Sequence, residues 1–222
     1  MGRLDETRSA FDKIYSSDTW GLKTDEYASA KPGMETENSR NKRFSTLITD
    51  LIKLNNVKSV VEFGCGWWKY MVNVDLTGVQ YDGFDIVDTV IQDNRQKFPA
   101  DNVRFHTVRD GIRMPKADML ISKDVLQHLP TADVQYYLNL FRTNFRFMLI
   151  GNDCIPDDNL NGDTGRGGYR ALRLERPPFN YPNVVLQQWE CLEFGTFIVK
   201  NFCLFQGEPE KGSPDGVILR ST

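Results

Sequence analysis

The chain has 222 residues, with a formal net charge of −3, 40% hydrophobic and 26% charged residues, which suits one sizeable α/β domain whose core stands without staples and excludes a disordered polymer. The acidic balance argues against a protein that grips nucleic acid through its phosphates, because that mode needs a basic face. No apolar run approaches the ~20 residues that span a bilayer, so the expectation is a soluble, cytoplasmic protein with no membrane insertion and no nucleic-acid partner.

The opening Met1-Gly2-Arg3-Leu4-Asp5-Glu6 is charged and lacks the apolar stretch of a signal peptide. Residues 1–40 are polar and mixed, with Tyr15 and Trp20 as aromatic anchors, and read as an N-terminal segment that closes over a ligand. Pro32 and Gly33 mark a loop within it. Over 41–54, Phe44, Leu47, Ile48, Leu51 and Ile52 recur at helical spacing, which predicts a helix docked on a sheet. Short apolar runs at 58–63, 81–86, 103–108, 117–122 and 146–151 predict strands, and helical segments are predicted near 67–74, 88–97 and 131–143. Strands that alternate with helices imply βαβ units and a doubly wound parallel sheet. Residues 152–183, rich in Asn, Asp, Gly and Pro, read as a long connection, of a length that is usually functional or disordered. The strands predicted at 184–190 and 196–206 have no helix between them and pair as an antiparallel hairpin. Residues 208–222 read as a mobile tail. The fold expected over 41–207 is thus α/β and Rossmann-like: a mostly parallel seven-stranded sheet, its last strand antiparallel, with helices on both faces. The cysteines at 65, 154, 191 and 203 show no CxxC spacing and read as buried reduced thiols.

In such a sheet ligands bind beyond the carboxyl ends of the strands, where strand order reverses. The first strand runs into Glu62-Phe63-Gly64-Cys65-Gly66, and the glycines let the backbone turn sharply and approach a ligand. Asp85 ends the second strand, 19 residues beyond Gly66. A carboxylate there can accept both ribose hydroxyls of a nucleoside. Two cofactors compete. The dinucleotide fingerprint GxGxxG requires a third glycine where Lys69 stands, and a pyrophosphate requires a helix N-terminus and room. Trp67 and Trp68 crowd this turn. S-adenosylmethionine (SAM), which has no phosphate, tolerates them and is favoured. Glu62, Gly64, Cys65, Gly66, Trp67, Asp85 and Ile86 are the expected cofactor contacts. Asp110 follows the third strand, where a polar group meets an adenine amino group. Lys123 follows the fourth, beside the expected sulfonium. Arg40 would pair with the methionine carboxylate, and Trp20 would close over the cofactor.

The run VVEFGCGWW…GFDIV…ADMLISKDVLQHL resembles class I SAM-dependent methyltransferases over roughly residues 40–205. The segments Ile14-Tyr15, Trp20-Gly21, Lys123-Asp124-Val125-Leu126-Gln127-His128, Tyr169-Arg170-Ala171-Leu172 and Pro177-Pro178-Phe179-Asn180 are similar to small bacterial and viral glycan-associated O-methyltransferases. Among these are the methyltransferase domains of glycan-building enzymes of large algal viruses. The resemblance implies SAM as cofactor, S-adenosylhomocysteine as product, a sugar or glycan hydroxyl as acceptor, and work beside, or fusion to, glycosyltransferases. The chain departs from that group at Trp67-Trp68-Lys69-Tyr70, where the group usually reads Asp-Phe-Asn-Trp.

Methyl transfer from a sulfonium is an in-line displacement that rewards alignment, and a sugar hydroxyl also needs a general base. Asp124 and His128, four residues apart, and Asp153 are the candidates. If the following helix includes both, Asp124 and His128 share a face and the carboxylate orients the imidazole. Otherwise Asp124 caps that helix and His128 packs. Asp153 is a second base, or joins Asp124 around a divalent cation. No ligand spacing is diagnostic, and no metal is expected. His106 falls inside the third strand and reads as structural. Tyr169, Arg170 and Tyr181, with Asp163 and Arg166, suit the hydroxyls and ring faces of a sugar. Two rival readings are a small-molecule or protein methyltransferase on the same fold and a SAM- or partner-binding module without a base.

Overall fold

In strand β1 (Ser59–Phe63) every residue after the first is buried, because successive side chains enter different cores. Val60 joins one apolar cluster, Val61 and Phe63 the other. Strands buried on both faces belong to sheets covered by helices on both sides. The computed structural model describes residues 2–17, 37–154, 161–193, 196–209 and 217–219. With β2 (Gln80–Asp85), β3 (Val103–Thr107), β4 (Arg113–Met114), β5 (Ala117–Lys123), β6 (Phe145–Cys154), β7 (Val184–Glu193), β8 (Thr196–Gln206) and β9 (Val217–Ile218), it contains a seven-stranded sheet of order β3-β2-β1-β5-β6-β8-β7 and a separate β4-β9 pair. Pairing is parallel from β3 through β6, whereas β8 lies antiparallel to both β6 and β7. The expected seven-stranded, mostly parallel sheet is therefore present.

Helix α2 (Glu37–Leu54) buries Phe44, Ile48 and Ile52, each four residues after the last, against the Val60 face. Helix α4 (Thr131–Arg142) buries Val134, Tyr137, Leu138 and Phe141 on the Val61 face. Each such side chain stabilises the fold by roughly 1.5–3 kcal/mol. Helix α3 (Asp88–Lys97) connects β2 to β3. No helix among the described residues is long and apolar enough to cross a membrane.

Three expectations change. First, residues 67–74 form a turn and a 3₁₀ segment, Met71–Asn73, not an α-helix. Trp68 has φ 58°, a left-handed conformation that no helix propagates through, and its ring is buried between Tyr81, Phe98 and Phe105. Second, the N-terminal segment contains helix α1 (Arg3–Ser17), which buries Leu4, Thr7 and Phe11 at helical spacing. Third, the tail includes a docked stretch: β9 pairs with β4, and Leu219 is buried in the Val61 core. The Val217-Ile218-Leu219 triplet is the tail's one apolar run, and Leu219 fills an apolar space.

Candidate functional site

Strand order reverses between β1 and β5, and beyond their carboxyl ends opens a cavity of about 600 Å³, within the ~300–1,000 Å³ of small-molecule sites. At one end the Gly64-Cys65-Gly66 turn is tied down from three directions. The N–H groups of Gly64 and Cys65 both donate to the Phe84 carbonyl, at 2.7 and 3.0 Å. Gly66 donates its N–H to Asp85 Oδ2 at 2.9 Å, and its carbonyl accepts from Asn94 Nδ2 of α3 at 2.7 Å. Gly64 has φ 80°, and a Cβ there would lie 2.2 Å from Val125 Cγ2, so only glycine fits. Asp85 is 6% exposed and also accepts the Val87 N–H at 3.0 Å. Burial pushes its carboxyl up, and the backbone N–H groups pull it the other way. Each of its oxygens keeps lone-pair capacity for a further donor.

Helix α1 walls this end with Thr7, Phe11 and Tyr15. Arg8 holds it across the sheet rim, donating to the Ile86 carbonyl at 2.6 Å and to the Val108 carbonyl. Tyr15 lies 6.2 Å from the Trp67 ring. Arg40 of α2 lines the cavity, as do Gly64, Cys65, Gly66, Trp67, Asp85, Ile86 and Lys123.

Two of the expected cofactor contacts lie elsewhere, and Trp20 lies outside the described residues. Glu62 is fully buried, its carboxyl clasped by the Tyr70 and Tyr81 hydroxyls, and it takes no part in the cavity wall. The side chain alternation of β1 sends it into the protein rather than toward the strand tip. Asp110 is exposed on the turn after β3, off the wall.

At the other end Asp124, His128, Asp153 and Tyr169 line the cavity with Lys200, Gln127 and Trp189. The expected helix does not include Asp124 and His128. Asp124 sits in a left-handed turn with φ 58°, Leu126–His128 is a 3₁₀ segment, and α4 starts at Thr131. Asp124 instead pairs with Lys123 and, at 2.6 Å, with Lys200. Burial opposes its ionisation, but these two ammonium groups outweigh burial and hold its carboxyl well below the usual carboxylate range. The imidazole is oriented by a backbone group: His128 Nδ1 lies 2.7 Å from the Gly168 carbonyl. A carbonyl only accepts, so Nδ1 carries the hydrogen and Nε2 of the neutral ring keeps its lone pair. Burial lowers the imidazole pKa, with the Gly168 bond and the Asp124 and Asp153 charges opposing. Gln127 couples the group, receiving the Asp153 N–H at 2.7 Å and donating to Asp153 Oδ2 at 3.1 Å.

The long connection is laced to this end by backbone bonds from Gly167 to His128, Arg170 to Gln127 and Leu172 to Asp153. That lacing reassigns two expected acceptor contacts. Arg170 is a buried strut that donates to Thr131 Oγ1 and to the Gly162 and Leu129 carbonyls. Tyr181 donates to the Leu138 carbonyl at 3.3 Å and packs near Phe205. His106 is structural as expected, bonded to Asp82 at 2.7 Å and stacked on Phe84. Lys200, Gln127 and Asn94 were missed. Only Lys200 left a trace in sequence: it is a charge between Ile198 and Phe202 on an inward face of β8.

No family model matches the chain, and no curated protein matches it in sequence. Solved structures do match its fold. Magnesium protoporphyrin IX methyltransferase from Synechocystis PCC 6803 with bound SAM is 12% identical, with TM-score 0.59 over 90% of this chain and 97% of that one. The 1,6-didemethyltoxoflavin-N1-methyltransferase of Burkholderia thailandensis, with bound 1,6-didemethyltoxoflavin and S-adenosylhomocysteine, is 15% identical, with TM-score 0.57 over 90% and 87%. Mitomycin 7-O-methyltransferase is 17% identical, with TM-score 0.54 over 76% and 55%. The chain has the Rossmann-like class I methyltransferase fold.

Proposed function

We propose that this chain is a SAM-dependent methyltransferase that methylates a hydroxyl oxygen of a sugar or glycan and releases S-adenosylhomocysteine. One observation carries the reading: a single cavity joins the Gly64–Gly66 turn and Asp85 at one end to a neutral, oriented His128 at the other. The residues fit SAM. The turn has a cradle that a Cβ would fill, Asp85 has lone pairs for ribose hydroxyls, and Arg40 has the charge for a carboxylate. The buried indole N–H groups of Trp67 and Trp189 have no hydrogen-bond partner among the described residues, which leaves donors for a bound molecule. The turn opens no α-helix, so a dinucleotide's pyrophosphate lacks its usual seat.

Bound SAM supplies an electrophilic methyl group on a sulfonium. His128 Nε2 takes the acceptor hydroxyl's proton as the oxygen attacks, and the Gly168 carbonyl fixes the ring and receives the Nδ1 hydrogen throughout. Asp124, held ionised by two lysines, is too weak a base for this step. Tyr169 and Trp189 supply flat faces for a sugar ring. In this reading a glycosyltransferase, separate or fused, builds the acceptor.

Calorimetry with S-adenosylhomocysteine tests the cofactor half. Wild type is expected to bind, and Asp85→Ala to bind at least roughly tenfold more weakly, the cost of charge-assisted hydrogen bonds. An acceptor screen with labelled SAM tests the rest. His128→Ala is expected to lose about 10²–10⁴ in kcat with cofactor affinity kept. Transfer to a phenol or a peptide and to no saccharide refutes the sugar assignment.

A further inference from the structure

The β6–β8 register sets Asp153 directly opposite Lys200, and the β7–β8 register sets Lys200 beside Trp189. Lys200 is 5% exposed, its ammonium lying 2.6 Å from Asp124 Oδ1 and 3.0 Å from Asp153 Oδ1. Asp124 follows the tip of β5, and Asp153 lies at the tip of β6. One buried cation on β8 thus ties the ends of β5 and β6 together around the acceptor half of the cavity. Gln127 carries the contact on, since its Nε2 lies 3.1 Å from Asp153 Oδ2 and 3.5 Å from His128 Nε2. A buried cation is costly unless its partners satisfy it, and an apolar side chain would serve packing alone as well. A lysine on the inward face between Ile198 and Phe202 therefore calls for a reason beyond packing.

We propose that Lys200 is a positioning residue for the methyl-transfer step: its ammonium fastens Asp124 and Asp153 into one wall and balances their charge beside His128. This rests on the reading of the cavity given above. The groups that face His128 are the Asp124 and Asp153 carboxylates, the Lys200 ammonium, the Gly168 carbonyl, the Gln127 amide and the Tyr169 ring, 6.0 Å away. Without Lys200, Asp153 loses that ammonium and Asp124 keeps Lys123, so the two carboxylates act more strongly on the imidazole and favour its charged form. The base would then be protonated at a pH where the native one is neutral.

The chain has two histidines, so His128 can be titrated by NMR in the free, full-length protein, with His106→Gln assigning the other signal. In Lys200→Met the His128 pKa is expected to rise by on the order of half a unit or more, and in Lys200→Arg to stay near wild type. Where acceptor turnover is measured, the acid limb of kcat/KM should move up by the same amount in Lys200→Met. Turnover should fall at least about tenfold while affinity for S-adenosylhomocysteine holds. Should Lys200→Met not fold, Lys200→Gln keeps a polar partner for the two carboxylates while removing the charge, and the same upward shift is expected. An unmoved His128 pKa in the folded variant overturns the proposal. Wild-type calorimetry showing no binding of SAM overturns the functional reading instead, and the two failures are read separately.

Discussion

Glu62 lies in the protein interior with its oxygens against two tyrosine hydroxyls. Burial pushes its carboxyl up from 4.5 to about 8, with the hydroxyls of Tyr70 and Tyr81 and the charge of Lys123 pulling the other way. Between those values the unfolded chain has released the proton and the folded chain keeps it. The native state then binds more protons, so stability falls as pH rises through the window, by at most about 1.4 kcal/mol per unit. Glu62→Gln has no proton to lose. The difference in unfolding free energy between variant and wild type should therefore move in the variant's favour from pH 4.5 to about 8. Urea melts across that range check it, and parallel pH profiles would show that Glu62 titrates normally. Glu62 also marks a limit of reading residues from sequence. Gly64, Gly66 and Asp85 were legible because a turn and a strand tip are local features. Adjacency to the glycine turn points Glu62 at the ligand, whereas the alternation of β1 sends it inward. Asn94 and Lys200 reach the site from a helix and a strand far along the chain: no local spacing announces Asn94, and the charge between Ile198 and Phe202 marks Lys200 as unusual without saying what it meets.

Among the elements, α1 has the clearest consequence for binding. It closes one wall of the cavity, and Arg8 holds it by bonds to carbonyls at the ends of β2 and β3. Ion pairs tie the helix's other side to the rest of the molecule, Arg3 to Asp133 at 3.0 Å and Glu6 to Arg166 at 2.9 Å. The Glu6–Arg166 pair is partly exposed and of modest worth, and none of these four residues lines the cavity, so Arg8 is the main polar anchor there. Arg8→Ala is expected to weaken S-adenosylhomocysteine binding by roughly tenfold, about 1.4 kcal/mol, the scale of lost bonds from a charged donor. Hydrogen exchange in α1 should rise with it, while kcat changes little because Arg8 does not approach His128's end of the cavity. Unchanged affinity would mean that α1 is held without Arg8. The helix was hidden in sequence because Leu4 and Phe11 are few and stand among charges, so the stripe is narrow. The 67–74 segment erred the other way: its apolar residues suggested a helix, but Trp68, Tyr70 and Met71 are all buried around a left-handed turn.

Across the whole molecule, the strand order was legible because alternation between two cores is written into every central strand, and the long-range closures were not. The Val61 core takes in Leu4 and Phe11 from α1 and Leu219 from beyond β9. Both closures meet at one rim. Arg8 bonds the Val108 carbonyl, Gly111 donates to the Leu219 carbonyl at 2.7 Å, and Leu219 donates to the Ile112 carbonyl at 2.9 Å. Leu219 is 1% exposed, beside the fully buried Met114 in the same cluster. If that docking contributes to global stability, Leu219→Ala should cost about 2–5 kcal/mol, as deletion of a buried leucine does. The midpoint of urea unfolding would fall with its slope unchanged, because the two-state surface change is nearly the same. A segment that only brushes the surface would give a change within about 0.5 kcal/mol. The two expectations differ by more than the error of the measurement. A shift at the small end would mean that the sheet and its central helices hold the fold without the C-terminal closure.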